Sequence, residues 1–421
     1  MVDTLEQSVN GRSVEFAAET YDEASGASQI GPFDYCPKVG FREYWYPGVW
    51  AKQVRRTRPL SLKMLDEDLV LFRGKDGRVV ALSDWCPHRG ARLSRGFCEF
   101  SGTVTCPYHG YTYDESGQGV AGLIESPNST LASKLKARRY PTAEWRGIVF
   151  VWMGETEPVP LDEDLPHEFF DSQLTAGRYV RTNSWDTNWT EPVLQGIDYH
   201  ELYLHRGLTF WRLVDKSLLV FRSQRTHTGR IRIVEEGENY VNTLDPDRHW
   251  GQTEYPGLGK WPKRVWWRLL PKAKVGRGGK PFVNYNHNIE LPSKIRTIIG
   301  GSIHLRWMVP VSEWDTRVWT FTIVRKPKTW LGSLYQAMWY YLWRKPNIIV
   351  STNEKEDLVV FKKERLNLER PQKLGPMDVG VIYFRRHLAK RARDFQRLGG
   401  ARGCLKQPPP SSAEEVEALR S

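Results

Sequence analysis

Cysteine is scarce in this chain of 421 residues: only five occur, and their uneven spacing does not suit a disulfide scaffold. No run of about 18 consecutive apolar residues is present, so we expect no membrane-spanning helix. The segment from Met1 to Asn10 lacks the basic start and apolar run of a secretory leader. Together these absences predict a protein of the reducing cytoplasm.

Acidic residues are outnumbered, with 49 Asp and Glu against 61 Lys and Arg, which gives a formal net charge of +12. Such a charge is typical of proteins that bind nucleic acid or an anionic surface. The Arg-rich segments at 55–58 and 387–397 contain no nucleic-acid recognition motif, however. We therefore expect no nucleic-acid partner, and the charge needs another explanation.

The patterning of the chain predicts four parts and an α+β protein. Residues 1–42 are polar and weakly patterned, as expected of an N-terminal extension. Residues 43–156 contain short period-two runs, such as Leu60 to Met64, between Gly-containing turns and predict an all-β domain. A Pro- and acid-rich bridge leads to residues 157–398, where helical and strand-like runs mix and predict an α+β domain. Residues 399–421 predict a flexible tail.

Two short motifs in the all-β part carry the strongest chemical signal. They read CPHRG at residues 86–90 and CPYHG at residues 106–110. Each motif offers one thiolate and one imidazole: Cys86 with His88, and Cys106 with His109. A Rieske [2Fe–2S] cluster takes two Cys on one iron and two His on the other, whereas finger-type zinc sites usually pair Cys with Cys. The mixed pairs therefore favour the cluster over zinc.

With these motifs, residues of about 43–395 resemble the terminal-oxygenase α subunit of Rieske non-haem iron ring-hydroxylating oxygenases. The segment from Asn188 to Arg206 is similar to the carbazole 1,9a-dioxygenase group. The resemblance implies an all-β Rieske domain, a helix-grip-like α+β catalytic domain with mononuclear Fe(II), and a homotrimer. It also implies that electrons come from NAD(P)H through a ferredoxin or ferredoxin reductase, and that O2 is used to hydroxylate or dealkylate an apolar aromatic or polycyclic substrate.

The resemblance places the mononuclear iron on residues 198–205 and on a later helix. It makes His205 and Asp357 two of the ligands and Asp198 the residue that bridges the iron to His109 of the next subunit. The family's first His aligns with Glu201, while a histidine lies one place earlier, at His200. Residues four apart on a helix share a face better than residues five apart, which favours Glu201. A π-like bulge would instead allow His200, which we predict as the ligand, with Glu201 or a degraded site as the alternatives.

A degraded iron site would make the chain an electron-transfer or scaffold protein, which is the alternative function.

Two further features concern partners. Arg89, Arg92 and Arg95 lie close in sequence to His88 and predict a docking field for an acidic ferredoxin or reductase.

The second of these features is an aromatic helix over residues 330–343, which has an apolar stripe and basic neighbours such as Lys326 and Lys328. We expect this helix to be buried, to face the substrate or to contact another subunit, with peripheral membrane contact as the alternative.

Overall fold

The computed structural model describes residues 37–126, 128–195, 286–299 and 302–346, the strands at 13–15, 232–235 and 240–244, and eight separate positions between 349 and 392. Their strands, in chain order, are β1 Ser13–Glu15, β2 Trp45–Trp50, β3 Leu60–Met64, β4 Glu67–Arg73, β5 Val79–Ser83, β6 Val104–Thr105, β7 Tyr111–Tyr113, β8 Gly119–Gly122, β9 Arg139–Tyr140, β10 Thr142–Trp145, β11 Ile148–Trp152, β12 Val180–Trp185, β13 Arg232–Glu235, β14 Tyr240–Leu244, β15 Asn286–Glu290, β16 Lys294–Ile299, β17 Ser302–Ser312 and β18 Asp315–Ile323. The α-helices are α1 Leu131–Lys134, α2 Leu161–Asp164, α3 Thr190–Gln195 and α4 Trp330–Met338.

Three small antiparallel sheets make up the part of the chain around the two motifs. Their strand orders are β10-β11-β2, β3-β4-β5-β9 and β6-β7-β8. The CPHRG motif follows β5, and the CPYHG motif connects β6 to β7. Both motifs therefore lie at strand ends, where a loop can present ligands while the strands hold its ends.

The β3-β4-β5-β9 sheet separates two apolar cores, and the period-two rule decides which side chain enters which core. On β4, Leu69 and Leu71 enter the larger core, whereas Val70 and Phe72 enter the smaller one. Neighbouring side chains on a strand point to opposite faces, so a run of four apolar residues fills both cores. The smaller core also contains Cys86 and lies beneath the motif loops.

The larger core continues into an eight-stranded antiparallel sheet of order β1-β13-β14-β15-β16-β17-β18-β12. Phe150 of β11 packs on Trp307 of β17, with ring centroids 5.8 Å apart. The backbone N–H of Leu65 also donates to the carbonyl of Pro310 at 2.9 Å. This shared core joins the small sheets to the large one, and the α+β class with an all-β first part is confirmed.

The aromatic helix is present, and burial within this chain, one of its three expected placements, is wrong for its apolar stripe. Helix α4 is followed by a π-helical stretch at 339–346. Each residue of the expected apolar stripe is exposed, from 46% at Tyr335 to 69% at Leu342; the stripe consists of Leu331, Leu334, Tyr335, Met338 and Leu342. Both faces of the helix are apolar, and the structure buries the opposite one, which contains Trp339 and Tyr340. In the described residues, no helix is long and apolar enough to cross a membrane.

Candidate metal centre

The CPHRG loop is closed by its own backbone. The N–H of Cys86 donates to the carbonyl of Ala91 at 2.8 Å, and the N–H of Gly90 donates back to the carbonyl of Cys86 at 2.8 Å. Gly90 has a φ of 71°, a left-handed conformation that a residue without Cβ adopts at little cost. The glycine of the motif thus lets the chain turn back after the histidine.

The CPYHG loop repeats this arrangement. The N–H of Cys106 donates to the carbonyl of Tyr111 at 2.8 Å, and the N–H of Gly110 donates to the carbonyl of Cys106 at 3.1 Å. Gly110 has a φ of 64°. Because each cysteine begins a loop of the same hydrogen-bonding pattern, the two loops present their thiols in equivalent ways.

The two thiols lie together at the bottom of the site, where both cysteines are buried and free of disulfides. The pKa of Cys86 is lowered to about 5, mainly by a hydrogen bond from the Cys106 thiol, with smaller contributions from the Tyr113 hydroxyl and the N–H groups of His88 and Arg89; burial opposes this effect. The pKa of Cys106 is raised, first by its hydrogen bond to Cys86 and then by burial, and the backbone N–H groups of Tyr108 and His109 at its sulfur oppose this rise. The pocket therefore favours one negative charge on the pair of sulfurs, held on Cys86, and a bound metal would supply the stabilisation that makes the second sulfur a thiolate as well.

The two imidazoles lie together at the outer edge of the site. The rings of His88 and His109 have centroids 4.8 Å apart and are both partly exposed. The Nδ1 atom of His88 is buried and has no hydrogen-bond partner within the part of the chain that the structure describes. A buried ring nitrogen without a partner is costly, and a metal ligand bond would satisfy it.

This donor set fits a Rieske cluster. Sulfur lies beside sulfur and imidazole beside imidazole, which is the grouping required when one iron takes both cysteines and the other takes both histidines. No three His, Cys, Asp or Glu residues among those described are placed to hold one metal ion. A tetrahedral zinc site would need all four donors around a single point, so the arrangement favours the [2Fe–2S] cluster.

Tyr113 is a supporting residue that the sequence reasoning missed. Its hydroxyl lies 3.1 Å from the Cys86 sulfur, and burial followed by this contact raises the pKa of Tyr113, so the hydroxyl stays protonated and can donate to a thiolate. Cys86 and Tyr113 are 27 positions apart, and only the alternation of β7 could have indicated that Tyr113 points towards the motif core.

We expect Tyr113→Phe to lower the reduction potential of the bound cluster by roughly 40 mV. Loss of one hydrogen bond worth about 1 kcal/mol would stabilise the oxidised, less negative state relative to the reduced one. Redox titration followed by visible absorption measures this shift. Tyr140→Phe is the matched control, because the Tyr140 hydroxyl donates to Glu67 instead. Equal potentials for wild type and Tyr113→Phe would contradict the prediction.

Tyr111 supports the histidine side of the site. The Tyr111 ring packs on His88 with centroids 4.7 Å apart, and its hydroxyl donates to Glu125, which also accepts from Ser129. The hydrogen bond to Glu125 raises the pKa of Tyr111 to about 12. Tyr111 thus ties the His88 side of the site to the segment after β8, a link that the motifs alone do not reveal.

Arg92, which the sequence suggested for docking, is part of this support through ion pairs within the chain. Its guanidinium contacts Asp68 at 3.1 Å and Asp84 at 3.3 Å, and it lies over the Trp85 ring at 4.4 Å. Arg89 and Arg95 are exposed. These two are more exposed than Arg92, whose side chain is 31% exposed.

The residues proposed for the mononuclear iron lie outside the described residues: Asp198, His200, Glu201, His205 and Asp357. The structure does describe the segment that leads to them. The Asn188 side chain donates to the carbonyls of Lys38 at 2.9 Å and Glu313 at 2.7 Å, and Trp189 donates to the carbonyl of Pro37 at 3.0 Å. These buried contacts fix the start of α3, which runs towards residue 196.

Comparison with known proteins agrees with this geometry. Residues 44–132 match the Rieske [2Fe-2S] domain family. Over 170 residues the chain is 34% identical to the carbazole 1,9a-dioxygenase terminal oxygenase component CarAa of Metapseudomonas resinovorans, a match that covers 40% of this chain and 44% of the relative. The chain therefore spans less than half the length of that curated relative.

Solved structures extend the likeness in fold. The terminal oxygenase of carbazole 1,9a-dioxygenase from Novosphingobium sp. KA1 superimposes with a TM-score of 0.62 at 23% identity, over 85% of this chain and 94% of that one. A reduced complex between oxygenase and ferredoxin in carbazole 1,9a-dioxygenase gives a TM-score of 0.63 at 21% identity, over 84% and 90%. The resemblance stated from the sequence is thereby confirmed. At these sequence identities the solved structures show a shared fold.

Proposed function

We propose that this chain, which contains a Rieske [2Fe–2S] domain at residues 44–132 and shares the fold of terminal oxygenase components, is itself an oxygenase component. It receives electrons at the cluster and uses O2 to hydroxylate or oxidatively dealkylate an apolar aromatic or polycyclic compound. The observation that carries the proposal is the pairing of sulfur with sulfur and imidazole with imidazole in two equivalent loops.

Different residues of the chain would hold the cluster, exclude water from it and expose its edge to a donor or acceptor of electrons. Cys86 and Cys106 would hold the inner iron and His88 and His109 the outer one; when bound, the cluster supplies one-electron transfer and the mononuclear iron supplies O2 activation. The smaller apolar core excludes water beneath the thiols. The partly exposed imidazoles form the edge through which electrons can enter or leave.

The mononuclear iron is proposed on His200, His205 and Asp357, with Glu201 as the alternative first ligand and Asp198 as the bridge to His109 of the next subunit in a homotrimer. Metal analysis tests this directly. About three irons per chain support the oxygenase, whereas about two support the alternative electron-transfer or scaffold protein. Comparing His200→Ala with Glu201→Ala then identifies the ligand, because only its loss should remove one iron.

Activity is tested with the purified chain, NADH, a ferredoxin and its reductase, and a tricyclic aromatic compound such as carbazole, with which the named relatives are associated. Incorporation of ¹⁸O from ¹⁸O2 into product, measured by mass spectrometry, would support the proposal. Full iron content with no product from a panel of apolar aromatics would contradict the proposed substrate class. We also propose a reducing compartment, in keeping with the free Cys86, Cys98 and Cys106.

An acidic ferredoxin is the proposed electron donor, and Arg89 and Arg95 are its proposed contacts. We expect Arg89→Glu/Arg95→Glu to raise the KM for ferredoxin roughly tenfold and to flatten the salt dependence of turnover, because rim charges act mainly on encounter. Steady-state rates at several ferredoxin and salt concentrations measure this.

The matched control is Arg55→Glu/Arg58→Glu, which changes the net charge equally. These exposed arginines follow the 3-10 turn Ala51–Gln53, which accepts a hydrogen bond from Arg73 at the C-terminal end of β4. That end of β4 pairs with the start of β5, whereas the CPHRG loop follows the end of β5, so the two sites lie at opposite ends of the sheet. Equal effects of the two double variants would show that only the total charge of the protein matters and would contradict the proposed docking site. Arg92 is unsuited to this test because its substitution breaks the ion pairs with Asp68 and Asp84.

A further inference from the structure

Seven large apolar side chains form an exposed stripe on α4 and the π-helical stretch that follows it. The stripe consists of Trp330, Leu331, Leu334, Tyr335, Met338, Tyr341 and Leu342. The five that belong to α4 span an arc of roughly 140° at 100° per residue. Trp330 is 73% exposed and Leu342 is 69% exposed, so the stripe has large open residues at both ends. A contiguous apolar surface of this kind marks an interaction site.

The helix is fixed to the protein through its other face. The Tyr340 ring stacks on Tyr179 with centroids 4.4 Å apart, and Tyr179 donates to the Gln336 side chain at 3.3 Å. Gln336 in turn donates to the carbonyl of Arg325 at 2.9 Å, and Thr329 caps the helix by accepting from the N–H of Gly332 at 3.1 Å. The stripe is therefore presented outward on a helix whose orientation is already set.

The charged residues that flank the stripe in sequence are all basic. Lys326 and Lys328 are exposed just before the helix, and the Lys345 ammonium lies 5.7 Å from the Tyr341 ring centroid at the other end. No Asp or Glu occurs anywhere from residue 316 to residue 353. A stripe of Trp, Tyr, Leu and Met with lysines at both ends matches the composition of helices that lie in the interface of an anionic bilayer.

We propose that this stripe is a peripheral docking surface for an anionic lipid bilayer. The helix would lie in the membrane plane, with the apolar side chains among the acyl-chain boundary and the lysines among the headgroups. This placement would bring the protein to the surface in which an apolar substrate partitions. The inference rests on α4 alone and stands whether or not the proposed oxygenase activity is found.

Vesicle flotation of the full-length protein tests the proposal. The probes are vesicles of phosphatidylcholine alone and of phosphatidylcholine mixed with phosphatidylglycerol. We expect the protein to float with the mixed vesicles, and Leu334→Ser/Met338→Ser to lower its partition coefficient at least about tenfold. Lys326→Glu/Lys328→Glu should weaken binding to the mixed vesicles by a similar factor and should remove the dependence on phosphatidylglycerol.

The matched control is Phe170→Ser, because Phe170 is 49% exposed and lies outside the stripe. It should bind vesicles as wild type does. Light scattering of each variant gives the mass of the assembly. If wild type does not float, or if both double variants float as it does, the proposal is wrong. A stripe variant that changes the assembly mass without changing flotation would assign the surface to contact between copies, which also overturns it.

Discussion

Gly96→Ala should abolish stable cluster binding, although Gly96 belongs to neither motif. A Cβ at this position would lie 1.9 Å from the carbonyl oxygen of Thr105 and 3.0 Å from that of Leu93. Both neighbours are backbone atoms, so they cannot move aside as a flexible side chain would. Phe97 and Thr105 exchange backbone hydrogen bonds of 3.1 and 2.8 Å directly beside this contact. An alanine side chain therefore fits only if β6, which leads into Cys106, moves away from the segment that follows the CPHRG loop.

The expected cost is about 3 kcal/mol or more, since overpacking against backbone is at the severe end of such substitutions. We expect the purified variant to lose most of its acid-labile sulfide and to melt well below wild type at the same scan rate. Gly147→Ala is the control: Gly147 has a φ of 77°, yet a Cβ there would meet nothing within 4 Å. It should cost only about 1 kcal/mol for the left-handed backbone and should keep its sulfide. Similar losses in both variants would rule out the steric explanation.

Local patterns predicted the strands well because strand periodicity is a local property. The run from Leu60 to Met64 forms strand β3 with the expected bounds. Strand β17 continues through Pro310 to Ser312, because a register shift accommodates the proline near the strand end. The division of β4 between two cores was not predictable, since both of its faces are apolar and only the tertiary fold determines what covers each.

The same distinction holds in the site. The four proposed cluster ligands were found because each loop contains its own Cys and His within four positions. Tyr113 and Asp68 were not found, because they act across 27 and 24 positions on Cys86 and Arg92. Local sequence carries no information on such pairings. Helix α4 was predicted from its period, but a helix that is apolar on both faces does not reveal which one the protein buries.

We expect Asp84→Ala to destabilise the CPHRG loop strongly. Asp84 is fully buried and accepts hydrogen bonds from the Ser94 N–H at 2.6 Å and the Ser94 hydroxyl at 2.7 Å, besides its contact with Arg92. Burial raises the pKa of Asp84, and the bonds from Ser94 and Arg92 oppose that rise. The carboxylate is thus retained at a desolvation cost because it joins the two ends of the loop that contains Cys86.

Leaving a buried donor without its acceptor costs about 1–3 kcal/mol, so removing a buried carboxylate that accepts several hydrogen bonds costs about 3 kcal/mol or more. Asp84→Ala leaves Arg92 with Asp68 alone and leaves Ser94 with two unsatisfied donors, so we expect a large fall in melting temperature and loss of bound iron. Asp84→Asn keeps one acceptor oxygen and should lose roughly half as much. Asp76→Ala, in the exposed turn before β5, serves as the control and should cost less than about 1 kcal/mol. If Asp84→Ala melts and binds iron as Asp76→Ala does, the carboxylate does not hold the loop.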